Sequence, residues 1–244
     1  MSREERWGDS PFFPGDLVVD QDNPWSEGIV VDLPNKNADE WNVPGIGRLS
    51  EDNPDYPEDD DVVCILFRDT LDEEFPYYSG VKPLSLSNLS KEGVKFYSFP
   101  GERLRKVGKI EPHDIPLSKV LPSPYHSRTF DVDEEIRLIA ELDREGGLPK
   151  PALLRVVDDG YFTILNGHKR IWAANVLGYN TVKARCMYLD DLHAAQIFAS
   201  RHLDQHPEER EHTDPSQTAA IEALRDDWGE TASQIPGVPP SDQY

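Results

Sequence analysis

Residues 158–178 read DDGYFTILNGHKRIWAANVLG, and the reading of the fold starts there. An Asp-Gly turn at Asp159–Gly160 precedes alternating large apolar residues, Tyr161 to Leu165, which predicts a hairpin strand. Asn166–Gly167 then opens a helix that stops at Gly178. Ile171, Ala174 and Leu177 recur at helical spacing and give that helix a buried face. Gly167 permits close backbone approach at the junction. The first N–H groups of a helix have no internal partner and lie at the positive end of its dipole. His168, Lys169 and Arg170 nevertheless crowd this turn. Either they are solvated charges on an exposed turn, or an anion, typically phosphate, offsets them.

The chain has 244 residues and a formal net charge of −21, from 46 Asp+Glu against 25 Lys+Arg. That length suits one large or two small domains. So acidic a surface repels nucleic acid and anionic membranes, so DNA contact requires a local basic patch or a partner protein. Acid-rich, lysine-poor composition also resembles that of salt-loving archaeal proteins, a halophilic signature without functional content. Cys64 and Cys186 lie far apart in apolar runs and read as buried thiols, with neither metal-ligand spacing nor a disulfide framework. No apolar run approaches the ~18 residues of a membrane span. The N-terminus, MSREERWGDS, lacks the apolar segment of a signal peptide, so the expected location is cytoplasmic.

Residues 1–107 are expected to form a small all-β domain. Its strands are Asp16 to Asp20, Gly28 to Asp32, Val62 to Phe67, Val94 to Phe99 and a short piece through Leu104. Their order resembles SH3-like barrels. Trp25, Trp41, Tyr56, Tyr77 and Tyr78 either cap its core or line a binding groove. Arg103, Arg105, Lys106 and Lys109 form the most basic segment, either a solvated edge or a phosphate-backbone contact.

Residues 108–212 are expected to form an α/β domain, with 108–116 as linker. Leu117 to Leu121 is a strand. Asp131 or Asp133 caps a helix to about Glu145, with Ile136, Ile139 and Ala140 on one face. Pro151 to Val157 and Thr181 to Met187 are strands, and Asp190 or Asp191 caps a helix to about Leu203. In residues 213–244, Asp214-Pro215-Ser216-Gln217 opens a helix that presents Ile221, Leu224 and Trp228. The tail, IPGVPPSDQY, reads as disordered. The fold class is therefore α+β.

Residues 114–206 resemble the N-terminal domain of ParB-type partition proteins, within the ParB/sulfiredoxin superfamily. The matching pieces are DIPLSKVLPSPYHSRTF, the helix from Asp133, GGLPKPALLRV, NGHKRIWAANVLGY, TVKAR and SRHLDQHP, in the family's order. The resemblance implies a domain that binds CTP with Mg²⁺ and slowly hydrolyses it, closing a protein clamp on DNA in chromosome or plasmid partition. By position, Gly167, His168, Lys169 and Arg170 would hold phosphates. Arg128 and the turn from Gly147 through Lys150 to Pro151 would flank base and sugar, and Arg201 to Gln205 would complete the phosphate side. The usual family segment is GERR; here His168 stands in the acid's place. Sulfiredoxins need a cysteine in this loop, and none is present. The family's following helix-turn-helix region is reduced to one clear helix, so a DNA-reading element would come from a partner.

Three readings follow. The first is a CTP-binding, self-associating protein of DNA maintenance. The second is a small-molecule kinase: a GHxR segment also resembles archaeal enzymes that phosphorylate free serine with ADP, which need a carboxylate base such as Glu134, Glu135 or Asp159. The third is a non-catalytic binding module. His168 either caps the helix or a neighbouring loop, or serves catalysis at the phosphate or acceptor. Tyr125 and His126 read as loop packing, and Tyr161 and Trp172 as core. On an exposed turn, Arg170→Ala is expected to abolish nucleotide binding while changing stability by less than roughly 1 kcal/mol.

Overall fold

The computed structural model describes residues 10–24, 26–126, 132–148, 150–203 and 215–239. The chain divides into two compact units, residues 1–111 and 112–244. The first unit contains β1 (Asp16–Asp20), β2 (Glu27–Asp32), the short pair β3 (Asn42–Val43) and β4 (Gly47–Arg48), α1 (Leu49–Asp52), β5 (Val62–Phe67), α2 (Arg68–Glu74), α3 (Leu86–Glu92), β6 (Tyr97–Pro100) and β7 (Leu104–Lys109). Five strands form one antiparallel sheet in the order β6-β5-β2-β1-β7. β6 and β7 occupy opposite edges of that sheet, yet only the turn Gly101–Arg103 separates them. Three residues reach about 10 Å at most, so the sheet must curl to bring its edges together. Val18, Val30, Leu33, Val63, Ile65 and Leu104 fill the concave side with Phe12.

The three helices correct the all-β expectation. After β5 the run RDTLDEE buries only Leu71 and forms α2. Ser85 accepts the Asn88 N–H at 3.4 Å to start α3, and Gly93, in the left-handed region, ends it. Tyr78 is buried, Trp41 donates to Ser98 Oγ at 2.9 Å and Tyr56 to Asp22 at 3.0 Å, so these rings are built into the unit; Trp25 lies outside the described residues. Three of the four residues of the basic run are also committed internally, while Arg105 is exposed. Lys106 and Lys109 reach the fully buried Asp16 carboxylate at 2.5 and 3.5 Å. Arg103 holds Asp20 through two bonds, 2.7 and 2.9 Å, and Asn53 at 2.7 Å.

The second unit contains β8 (His113–Pro116), β9 (Val120–Leu121), α4 (Val132–Glu145), β10 (Ala152–Val156), β11 (Phe162–Asn166), α5 (His168–Val176), β12 (Thr181–Tyr188), α6 (Asp191–His202) and α7 (Pro215–Trp228). The sheet order is β8-β12-β10-β11-β9, with β10–β12 and β9–β11 parallel. Part of the segment read as a linker is therefore structured. β7 runs to Lys109 and β8 starts at His113, because only Ile115 of β8 is buried and so short an edge strand leaves no alternation to read. Leu142 of α4 packs with Ala173 and Ala174 of α5 and Val182 of the sheet. Leu165 and Met187 face Ala194 of α6. Ile136 and Ala140 of α4 are exposed; Leu138, Ile139 and Leu142 form its packed face instead.

The disorder expected of the tail from Ile235 does not hold through residue 239, and residues 240–244 lie outside the described residues. Ile235 and Val238 are buried against Phe198 and Ala199 of α6 and Leu224 of α7, and Tyr125 joins the same cluster.

One contact in the first unit admits no side chain. A Cβ on Gly80, at φ +63°, would lie 2.6 Å from Gly15 N and Pro14 O, while a Cβ on Gly45, at φ +81°, would meet nothing within 4 Å. Gly80→Ala should therefore cost more than ~2 kcal/mol in urea unfolding, and Gly45→Ala only the ~1 kcal/mol of left-handed strain.

Candidate nucleotide site

The chain leaves β11 at Asn166 and turns through Gly167, at φ 109° and ψ 21°, into α5. A Cβ at Gly167 would sit 3.0 Å from Arg170 Nη2, the end of a flexible side chain, and 3.4 Å from Ala152 Cβ, so the left-handed conformation rather than lack of space favours glycine at the turn. No side chain caps α5 and its first turn contains no acid. The positive end of this helix is thus left without a carboxylate from its own first turn.

Arg170 is half-buried, which corrects the exposed position expected of it. Its Nη1 donates to the carbonyls of Lys150 at 2.5 Å and Pro151 at 3.1 Å. The guanidinium therefore ties the entry of β10 to the first turn of α5, and burial pushes its pKa below the ordinary arginine value. Gly167, Arg170, Lys150 and Pro151 come together as one cluster, with Lys169 partly exposed on the same turn. Arg201 is exposed on the last turn of α6. Its neighbour His202 contacts the Leu165 carbonyl through Nε2 at 3.1 Å and brings its ring within 5.7 Å of His168. The end of α6 thus abuts the start of α5. Arg128 and Gln205 lie outside the described residues, as does the side chain of Glu134. Asp159 belongs to the turn before β11, whereas Gly167 follows that strand. The five residues of β11 separate the two positions along the backbone, and the side chain of Asp159, like that of Glu134, lies outside the described residues.

His168 is only 7% exposed. The Ser123 backbone N–H donates to its Nε2 at 3.2 Å. A neutral imidazole so engaged carries its proton on Nδ1. Nδ1 has no hydrogen-bond partner among the described residues. His126 stacks on the ring at 3.8 Å and 17°. Burial, then the neighbouring His126 and His202, push the His168 pKa down to about 3. Such a group is a weak proton acceptor, and its Nε2 is already occupied. This geometry suits a latch between the Ser123–His126 segment and α5 rather than the catalytic role anticipated for His168.

Tyr125 packs as expected, with Trp228 Nε1 donating to its hydroxyl at 3.0 Å. Trp172 joins the α4–α5 core. Tyr161, expected in the core, is 42% exposed. Ser123 escaped sequence reasoning, and although His126 was read as loop packing and His202 falls within Arg201 to Gln205, the three meet His168 only through the fold.

Residues 89–200 match the ParB N-terminal domain. The matched region of the family model begins in α3, earlier than the resemblance read from residue 114. The nucleoid occlusion protein of Geobacillus sp. is 31% identical over 107 residues, covering 42% of this chain and 38% of that protein. The nucleoid occlusion protein of Bacillus cytotoxicus is 27% identical over 130 residues, covering 53% of this chain and 41% of the relative. The chain thus spans about two-fifths of the length of these curated relatives. Among solved structures, C-terminally truncated ParB from Caulobacter crescentus complexed with CTP-γ-S is similar at 23% identity, over 52% of this chain and 71% of that one, with a TM-score of 0.33. Sulfiredoxin from Arabidopsis thaliana is similar at 25% identity over 32% of this chain and 84% of that one, with a TM-score of 0.29. The ParB-like region thus holds the α5 turn, while no helix among the described residues is long and apolar enough to cross a membrane.

The His168 environment sets a pH dependence. Its folded pKa of about 3 lies below the unfolded value of 6.5, so the unfolded chain takes up the proton first. Its contribution is complete above about pH 6.5 and is lost progressively as pH falls toward 3. Between pH 7.5 and 5.0, urea unfolding of wild type should lose on the order of 2 kcal/mol more than His168→Gln does.

Proposed function

We propose that this chain is a ParB-like nucleotide-binding protein of DNA maintenance, which holds the phosphates of CTP at the N-terminus of α5. The observation that carries the reading is the uncapped, acid-free first turn of α5, entered through a glycine in the left-handed region. Backbone N–H groups at such a turn are aimed at an anion, and Lys169 adds a positive charge beside them. Arg170 holds Lys150 and Pro151 against the turn, and Arg201 lies on the adjoining end of α6. His168 contributes its backbone N–H. Arg128 and Gln205 complete the set by resemblance. Mg²⁺ would arrive with the phosphates, whose oxygens are its usual ligands. The choice of CTP, rather than ADP or ATP, rests on the family that residues 89–200 match. The first unit is taken as an SH3-like barrel, which its strand order and the short β6–β7 connection support.

DNA association in this reading runs through a partner protein or nucleotide-dependent self-association in a homodimer. Asp16 and Asp20 already engage Arg103, Lys106 and Lys109, which disfavours that run as the contact with a phosphate backbone. The relatives named nucleoid occlusion proteins support a role in DNA maintenance. The serine-kinase reading rests on the GHxR resemblance alone.

Isothermal calorimetry with CTP, ATP, ADP and GTP in Mg²⁺ and high salt tests the proposal. CTP should bind selectively, and Lys169→Ala should weaken it about tenfold, a loss of ~1.4 kcal/mol. Arg170→Ala should weaken binding and also cost about 1 kcal/mol of stability, because two charge-assisted bonds to partly exposed carbonyls are lost. Unchanged CTP affinity in Lys169→Ala and Gly167→Ala would refute the site; selective ADP binding would favour the kinase.

A further inference from the structure

A cavity of about 400 Å³ in the second unit is walled by the first turn of α6, the last turn of α7 and the middle of β11. Arg155 of β10 and the segment from Ser123 to Tyr125 complete it. Gly167, Lys169 and Arg170 take no part in its walls. The volume is that of a small-molecule pocket.

Three charged side chains line the cavity: Arg155, Asp191 and Asp227. Two of them satisfy each other. Arg155 donates through Nε to the Leu189 carbonyl at 3.0 Å and pairs through Nη1 with Asp191 at 2.6 Å. Asp227 has no cationic partner among the described residues. A different contact holds it at the wall. The buried hydroxyl of Tyr125 accepts from Trp228 Nε1 at 3.0 Å. Burial above all, and then the Asp227 carboxylate hydrogen-bonded to that hydroxyl, push the Tyr125 pKa up. The carboxylate is thus anchored to a wall of the cavity, and the lining has one negative charge in excess.

A cation beside Asp227 would gain an attraction that solvent screens less in a recess than on an open surface. A bare metal ion is poorly served there. Hard cations take six or more oxygen ligands, and no three metal-ligating side chains converge among the described residues. The uncharged walls instead suit alkyl groups: Pro124, Ile164, Leu165 and Ala194 are apolar, and Trp228 adds an indole. Aromatic rings also attract alkylated ammonium groups. We propose that this cavity binds a small organic monocation, an alkylammonium whose charge pairs with Asp227 and whose alkyl surface lies against the apolar walls. The inference stands apart from the nucleotide reading, because the α5 turn is not among the walls.

The net charge of −21 draws any cation toward the chain, so a test has to separate a site from a general field. Choline and 3,3-dimethylbutan-1-ol have the same shape and differ by one charge. Saturation-transfer NMR titration of the full chain, at one fixed ionic strength, should show choline binding about tenfold more tightly than the alcohol. Asp227→Asn keeps an acceptor for the Tyr125 hydroxyl and should bring the two affinities together. Asp226→Asn removes the same charge from the neighbouring exposed residue, outside the walls, and should leave the preference intact. Equal affinities in wild type, no binding of choline, a preference that survives Asp227→Asn, or one lost equally in Asp226→Asn would overturn the proposal. The first two of these results need no variant to fold.

Discussion

The positive end of α5 is the constraint on which the second unit turns. The macrodipole and the unfilled N–H groups there attract negative charge, yet the sequence supplies His168, Lys169 and Arg170. The fold handles the three differently. Arg170 is drawn back over Gly167 onto two carbonyls, His168 is buried and neutral, and Lys169 stays partly exposed. What remains is a turn whose backbone and one lysine favour an anion, braced on one side by an arginine and on the other by an imidazole.

The brace explains why residues distant in sequence matter to the turn. Arg170 couples it to the start of β10, and His168 couples it to the Ser123–His126 segment. His202 couples the end of α6 to Leu165 at the end of β11. α6 is in turn held by α7 and by Ile235 and Val238. A change at the turn can therefore be felt in the loop around His126 and along α6, the directions in which a nucleotide signal would travel.

The hairpin, β11, Gly167 and α5 were legible because turn residues, alternation and helical spacing agreed within twenty residues. Other features were not local. The face of α4 was misread because Ile136 matches helical spacing but points away from α5, and tertiary packing selected Leu138 and Leu142. β8 borrows its order from β12 rather than from its own pattern. The histidine cluster draws one residue from each of three separated segments, and no spacing rule connects them. The basic run of the first unit looked available because its partners, Asp16 and Asp20, lie on the neighbouring strand β1, 83 residues earlier for Asp20 and Arg103. The tail was read as disordered from its prolines and glycine, whereas Ile235 and Val238 had an apolar face of α6 and α7 to cover.

Hydrogen–deuterium exchange with and without Mg²⁺-CTP tests the central claim most directly, because it reads individual backbone segments. The account predicts slowed exchange at residues 167–171 and in the Lys150–Ala152 entry to β10, with β1–β7 of the first unit unchanged. Slowed exchange confined to other segments, with residues 167–171 unaffected by bound CTP, would contradict it.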